Sequence, residues 1–141
     1  MDRNAELMKG LKTMASRWIS RPARQKIYDR DNMICVYCLK KCMPGTVAGF
    51  TRAQQRAYQK AFMPDFATLD HIVARESVKI AYGVHSDMYA KLLTDPQNLV
   101  TVCCACNSSK KDTDLKTWCK ATNRNYDAIV KRIKRRIAKA I

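Results

Sequence analysis

Cys35-Val36-Tyr37-Cys38 and Cys103-Cys104-Ala105-Cys106 bracket the dipeptide Asp70-His71, and Asn107 follows the last cysteine directly. These residue types carry two chemistries. Paired C-x2-C units suit a tetrahedral thiolate site, in which each unit forms a tight knuckle and the sulfurs converge on one ion, most often zinc. Cys35, Cys38, Cys103 and Cys106 are the expected Zn2+ ligands. Cys42 offers an alternative to Cys35 or Cys38 through a C-x3-C spacing, Cys104 should point away from the ion, and Cys119 reads as core. The second chemistry combines a histidine able to accept a proton from water near neutral pH with oxygen donors for a hard divalent cation. His71, Asp70 and Asn107 have those types.

Several local signals indicate the elements that must position these residues. Leu7, Leu11, Met14 and Trp18 repeat at three- and four-residue steps and predict an amphipathic helix over 2–19. Ser20-Arg21-Pro22 starts a second helix reaching about Asp29. Ile34 to Tyr37 reads as a short strand entering a turn, and Pro44-Gly45 marks a loop. Thr51-Arg52-Ala53-Gln54 fits a capping box and opens a helix that Met63-Pro64 ends. A strand is expected over 67–73 with Asp70 and His71 inside it, a short helix over 86–93, a second strand over 98–102, and a helix beginning near Asn107. From Asn125 to Ile141 the chain is amphipathic, with Tyr126, Ile129, Val130, Ile133 and Ile137 on one face.

The chain holds 27 Lys and Arg against 12 Asp and Glu, a net charge of +15 over 141 residues. An excess this large points to a polyanionic partner. No stretch of about 18 consecutive apolar residues exists to span a membrane, and charges at Asp2, Arg3, Glu6, Lys9, Lys12 and Arg17 interrupt the first segment. An intracellular, cytoplasmic location is expected, where seven cysteines read as metal ligands and core residues rather than disulfides. Lys131, Arg132, Lys134, Arg135 and Arg136 on the last helix suit a DNA-backbone clamp, against which stand a membrane-surface helix and a solvated outer face.

Arg30-Asp31, Cys35-x2-Cys38, Leu69-Asp70-His71-Ile72-Val73, Asn98-Leu99-Val100 and Cys103-x2-Cys106-Asn107-x2-Lys110 together resemble the HNH endonucleases of the ββα-metal, or His-Me finger, superfamily. The resemblance covers residues 21–112. It implies an α+β fold with a ββα-metal core over 31–112; chain length points to a single domain, and the helical signals place N-terminal helices (1–30) and a basic helical region (113–141) around that core. His71 would be the general base, Asp70 and Asn107 the ligands of a catalytic Mg2+ or Mn2+, and Asn98 the brace of the loop that orients His71. Lys110, with Lys111 beside it, would contact phosphate, as would Arg75. Asn107 stands where the family often carries its last histidine, so the chain is an HNN variant. The segments between Cys38 and Asp70, with a helical insertion near 51–62, and between His71 and Asn98 are longer than that pattern needs. His85 in the second reads as a loop residue.

The function expected on these grounds is metal-dependent hydrolysis of DNA phosphodiester bonds. One active site cuts one strand at a time, so double-strand cleavage calls for a homodimer or sequential cuts. Many small stand-alone HNH proteins are phage-encoded, and a phage origin here rests on that analogy alone. Two rivals stand beside this reading. A non-catalytic zinc-ribbon module that binds nucleic acid needs the cysteines and the charge but not Asp70, His71 and Asn107. An RNA-cleaving nuclease needs all of them.

Overall fold

The computed structural model describes residues 19–141, so the helix expected over 2–19, Ile19 aside, lies outside the described residues. The fold is α+β, built around one antiparallel strand pair. Strand β2 (Leu99–Cys103) is apolar and β-branched at Val100 and Val102, and all five of its residues are buried. It therefore reads as a continuous buried run rather than an alternating one. Strand β1 (Ala67–His71) pairs with it so that Ala67 faces Cys103 and His71 faces Leu99.

Neither edge group of the central residue of β2 is left bare. The Thr101 amide donates to the Asp31 carboxylate at 2.9 Å, and the Thr101 carbonyl accepts from the Val36 amide at 3.0 Å. Capping of this kind satisfies backbone groups that would otherwise be buried unpaired.

Helix α1 (Arg21–Arg30) starts on the Ser20 cap, with Pro22 in its first turn, and buries Ile27 and Tyr28. It ends in Arg30-Asp31, a buried pair. Arg30 grips Asp31 at 2.8 and 3.1 Å and also donates to the carbonyls of Pro96 and Leu99. Helix α2 (Arg52–Phe62) has the expected capping box of Thr51 and Gln54. It leads through a short 3-10 turn (Met63–Asp65) into β1. The long interval after His71 is a helical pair, α3 (Arg75–Tyr82) and α4 (Asp87–Thr94), joined around Val78, Tyr89 and Leu93. Helix α5 (Cys104–Lys110) follows β2 directly, then α6 (Leu115–Ala121) and α7 (Tyr126–Ile137). Ile129 and Ile133 of α7 and Trp118 of α6 close the core over Val36, Val100 and Val102.

Three expectations are corrected, and one helix had not been expected. The segment 34–37 is a turn, not a strand. It makes one isolated bridge, Ile34 to Lys41, and its knuckle closes on Leu39, whose φ of 63° is left-handed. Helix α3 was not among the expected elements: Ala74 caps it with no side-chain hydrogen bond. Helix α5 starts at Cys104 rather than near Asn107, which puts Asn107 inside the helix. Arg132 and Arg136 also leave the solvated face of α7. Arg132 donates to the carbonyls of Val36 and Tyr37, and Arg136 to that of Ile34, so both tie α7 to the cysteine knuckle.

Replacing Asp31 with Ala removes the partner of Arg30 and of the Thr101 amide while both remain buried. Breaking one side of such a pair costs about 3–5 kcal/mol. Urea unfolding should show a loss of that size, and an Asp31→Ala variant as stable as the wild type would contradict this role.

Candidate functional site

The strand pair and α5 set two groups of side chains side by side. Cys103 ends β2 and caps α5, its sulfur accepting from the Cys106 amide at 3.4 Å, so the second C-x2-C unit is wound into the first turn of the helix. The first unit lies in the 34–41 turn, where the Leu39 amide closes on the Cys35 carbonyl at 2.9 Å. Sulfur atoms of Cys35, Cys38, Cys103 and Cys106 all lie within 4.8 Å of one another, with Cys38 and Cys103 at 3.8 Å. Zinc–sulfur bonds of roughly 2.3 Å place tetrahedral sulfurs ~3.8 Å apart. The four cysteines thus form a group able to hold a metal ion of the zinc type.

Their acidities show what the cation must do. With protein donors alone, the hydrogen bond from Cys106 draws the Cys35 thiol down to about 4, while that same bond drives Cys106 far above its ordinary value. Burial raises Cys103. Negative charge on Cys35 is among the causes that raise Cys103 and Cys106, a cost that a cation held by the group would offset. Cys42 stays out of the group: it is buried in the core and its thiol is pushed up to about 12, mainly by burial. Cys104 turns toward Ser108 instead, and Cys119 is core.

Next to this group, a cavity of about 190 Å³ is lined by Asp70, His71, Arg75, Asn107, Lys110 and Lys111. The structure therefore brings together six residues that were singled out in the sequence. Nε2 of His71 lies 2.9 Å from the Leu93 carbonyl. A carbonyl only accepts, so Nε2 carries the proton and Nδ1 of the neutral ring keeps its lone pair. Burial holds the pKa of His71 below the ordinary histidine value, against the opposing pull of the Leu93 carbonyl and Asp70. The ring is neutral at pH 7.

The Asn98 amide braces the chain just past His71. Its Oδ1 accepts from the Val73 amide at 2.8 Å, its Nδ2 donates to the Leu92 carbonyl at 2.8 Å, and its own carbonyl accepts from Ile72 at 2.9 Å. One side chain ties the end of α4, which supplies the Leu93 carbonyl, to the loop that leaves His71.

Two residues that hold side chains of this cavity were not singled out in the sequence. The Thr68 hydroxyl gives its one proton to the Val102 carbonyl at 3.0 Å, so it accepts from Asn107 Nδ2, also at 3.0 Å. That bond sets the amide and leaves Asn107 Oδ1 as an acceptor. Tyr37, inside the first knuckle, donates to Asp70 Oδ2 at 2.5 Å. Thr68 shares the face of β1 that carries Asp70, two residues on, and strand alternation was the clue available for it.

Lys110 departs from its expected place. It is 3 % exposed, with its ammonium 3.1 Å from Asp70 Oδ2, and holds the carboxylate rather than reaching into solvent. Lys111 and Arg75 are exposed at the cavity mouth, and His85 is an exposed turn residue. The Tyr37 and Lys110 bonds to Asp70 both fall on Oδ2, which leaves Oδ1 for the cavity.

Comparison of the chain with protein-family models, curated proteins and solved structures finds no match. No helix among the described residues is long and apolar enough to cross a membrane.

Elemental analysis should find one zinc per chain. Cys35→Ser or Cys103→Ser should lose it and lower the melting temperature, because a structural ion contributes directly to folding. Cys42→Ala and Cys104→Ala should keep it. Zinc retained in full by Cys103→Ser would remove the four-sulfur assignment.

Proposed function

We propose that the chain is a zinc-stabilised, divalent-metal-dependent HNH-type endonuclease acting on DNA. The observation that carries this reading is His71: neutral, its Nε2 proton committed to the Leu93 carbonyl, on the wall of a cavity it shares with the oxygens of Asp70 and Asn107. A ββα unit supplies all three residues, His71 and Asp70 from β1 and Asn107 from α5.

The donor set fits a hard cation. Asp70 Oδ1 and Asn107 Oδ1 are free to act as oxygen ligands, which magnesium and manganese prefer. The bound ion would offset charge developing on the scissile phosphate. His71 Nδ1 takes a proton from the water that attacks phosphorus, the P–O3′ bond breaks, and the departing 3′ oxygen takes a proton from solvent. Asn98 and the Leu93 carbonyl keep the ring in one orientation and one tautomer. Arg75 and Lys111 at the rim attract the phosphate backbone. By the resemblance, the products are 5′-phosphate and 3′-hydroxyl ends.

Cleavage of supercoiled plasmid in Mg2+ or Mn2+ tests this reading. Activity should vanish in Asp70→Ala and Asn107→Ala. It should fall about 10²- to 10⁴-fold in His71→Ala, the usual size of a general-base contribution, with DNA binding retained. Because His71 must be deprotonated, the wild-type rate should rise with pH through a pKa below 6.5, the ordinary value, and then level off. Binding without cutting would favour the zinc-ribbon reading, and cutting of RNA alone would move the substrate class.

DNA affinity should fall linearly with salt on logarithmic axes. Neutralising Lys131, Lys134 and Arg135, the exposed part of the α7 face, should flatten the slope by about one for each phosphate that a removed cation had neutralised. An unchanged slope would leave α7 as a solvated face. Arg132 and Arg136 are excluded from that test because they support the knuckle.

A further inference from the structure

We infer that Tyr37 is a positioning residue that couples the four-cysteine knuckle to the catalytic-cation site through Asp70. This rests on the proposed use of Asp70 as a cation ligand and names what controls it.

Tyr37 is placed by the knuckle. It lies between Cys35 and Cys38, and its carbonyl and that of Val36 accept from Arg132 at 3.4 and 2.9 Å. The Val36 amide is bonded to the Thr101 carbonyl of β2. Tyr37 is 5 % exposed, and its ring packs edge-on against Trp118, with centroids 5.1 Å apart. Trp118 is held in turn by its indole N–H on Ser109 of α5 at 3.0 Å. The hydroxyl therefore has little freedom, and it points at Asp70 Oδ2.

Oδ2 takes two donors of different kinds. Lys110 brings a full charge on a long, buried stem. Tyr37 brings no charge and an origin fixed by the knuckle, so its removal frees the rotation of the carboxylate even with Lys110 in place. With Oδ2 engaged by both, Oδ1 is presented to the cavity that Asn107 shares. Hydrogen-bonding partners behind a metal-ligating carboxylate typically change metal affinity or activity by 10- to 100-fold when removed. The knuckle thus does more than staple the fold: the residue between its two cysteines orients a ligand of the neighbouring cation.

The test is Mn2+ binding to the zinc-loaded chain without DNA, read by the fall in the free-ion electron paramagnetic resonance signal. Wild type, Tyr37→Phe and Asp70→Asn are compared. Tyr37→Phe should raise the Mn2+ dissociation constant by about 10- to 100-fold, while zinc content stays at one per chain. In cleavage assays it should raise the half-saturating metal concentration by a similar factor and change the rate at saturating metal by less than about threefold.

Tight Mn2+ binding by wild type, lost in Asp70→Asn but unchanged in Tyr37→Phe, would overturn this inference and leave the nuclease reading standing. No Mn2+ binding by wild type, or equal binding by Asp70→Asn, would overturn both. Should Tyr37→Phe lose its zinc, 19F NMR of the wild-type chain carrying fluorotyrosine decides instead. The resonance of the buried Tyr37 should shift on adding Mg2+, and indifference to Mg2+ would overturn the coupling.

Discussion

Two turns distant in sequence must bring four sulfurs to within 4.8 Å of one another, and the rest of the fold is arranged around that requirement. Cys103 and Cys106 meet it from the end of β2 and the first turn of α5, so the strand-to-helix junction is set by the ligands. Cys35 and Cys38 meet it from a turn with no regular secondary structure of its own. That turn is held by the bond from Val36 to Thr101 and by two arginines of α7. Residues chained to these cysteines then have fixed addresses: Tyr37 lies between two of them and Asn107 follows another. Both face the cluster around Asp70. An ion held by these sulfurs would give a small core a rigid corner, adding folding free energy that packing need not supply.

Charge is used inside the fold as well as on its surface. A net charge of +15 invites the picture of a uniformly basic exterior, but Arg30, Lys110, Arg132 and Arg136 turn toward carbonyls and carboxylates. Arg30 and Arg136 converge on Asp31, whose side chain is fully buried and also receives the Thr101 amide. Solvent-facing cations among the described residues include Arg75 and Lys111 at the cavity mouth, Arg24 beside His71, and Lys131, Lys134 and Arg135 on α7. The proposed phosphate contacts fall among these residues, and changes at the inward four would test stability instead.

Much of the site was legible in the sequence because its ligands depend on local spacing. C-x2-C fixes a knuckle whatever surrounds it. Thr51 to Gln54 carried the start of α2, and the apolar stripe of α7 carried Ile129 and Ile133 into the core. Contacts between distant segments had no such signature. Tyr37 and Asp70 meet only because the knuckle folds over β1, and Thr68 meets Asn107 only because α5 turns back along the strand. Lys110 was expected on phosphate because helical position alone does not show that a buried carboxylate lies beneath it. The 34–37 run of apolar residues resembled a strand, yet its apolar side chains are buried by the arrangement of a turn. Helix α3 escaped notice since its cap makes no side-chain bond.

The central claim is that two chemically distinct metal sites sit side by side, one of sulfur and one of oxygen. Anomalous diffraction from crystals of the zinc-bearing chain soaked in Mn2+, recorded at the zinc and manganese edges, tests it most directly. The expected result is a zinc peak among Cys35, Cys38, Cys103 and Cys106 and a separate manganese peak against the oxygens of Asp70 and Asn107. A manganese peak elsewhere, or none in the cavity with the cysteine site filled, would contradict it.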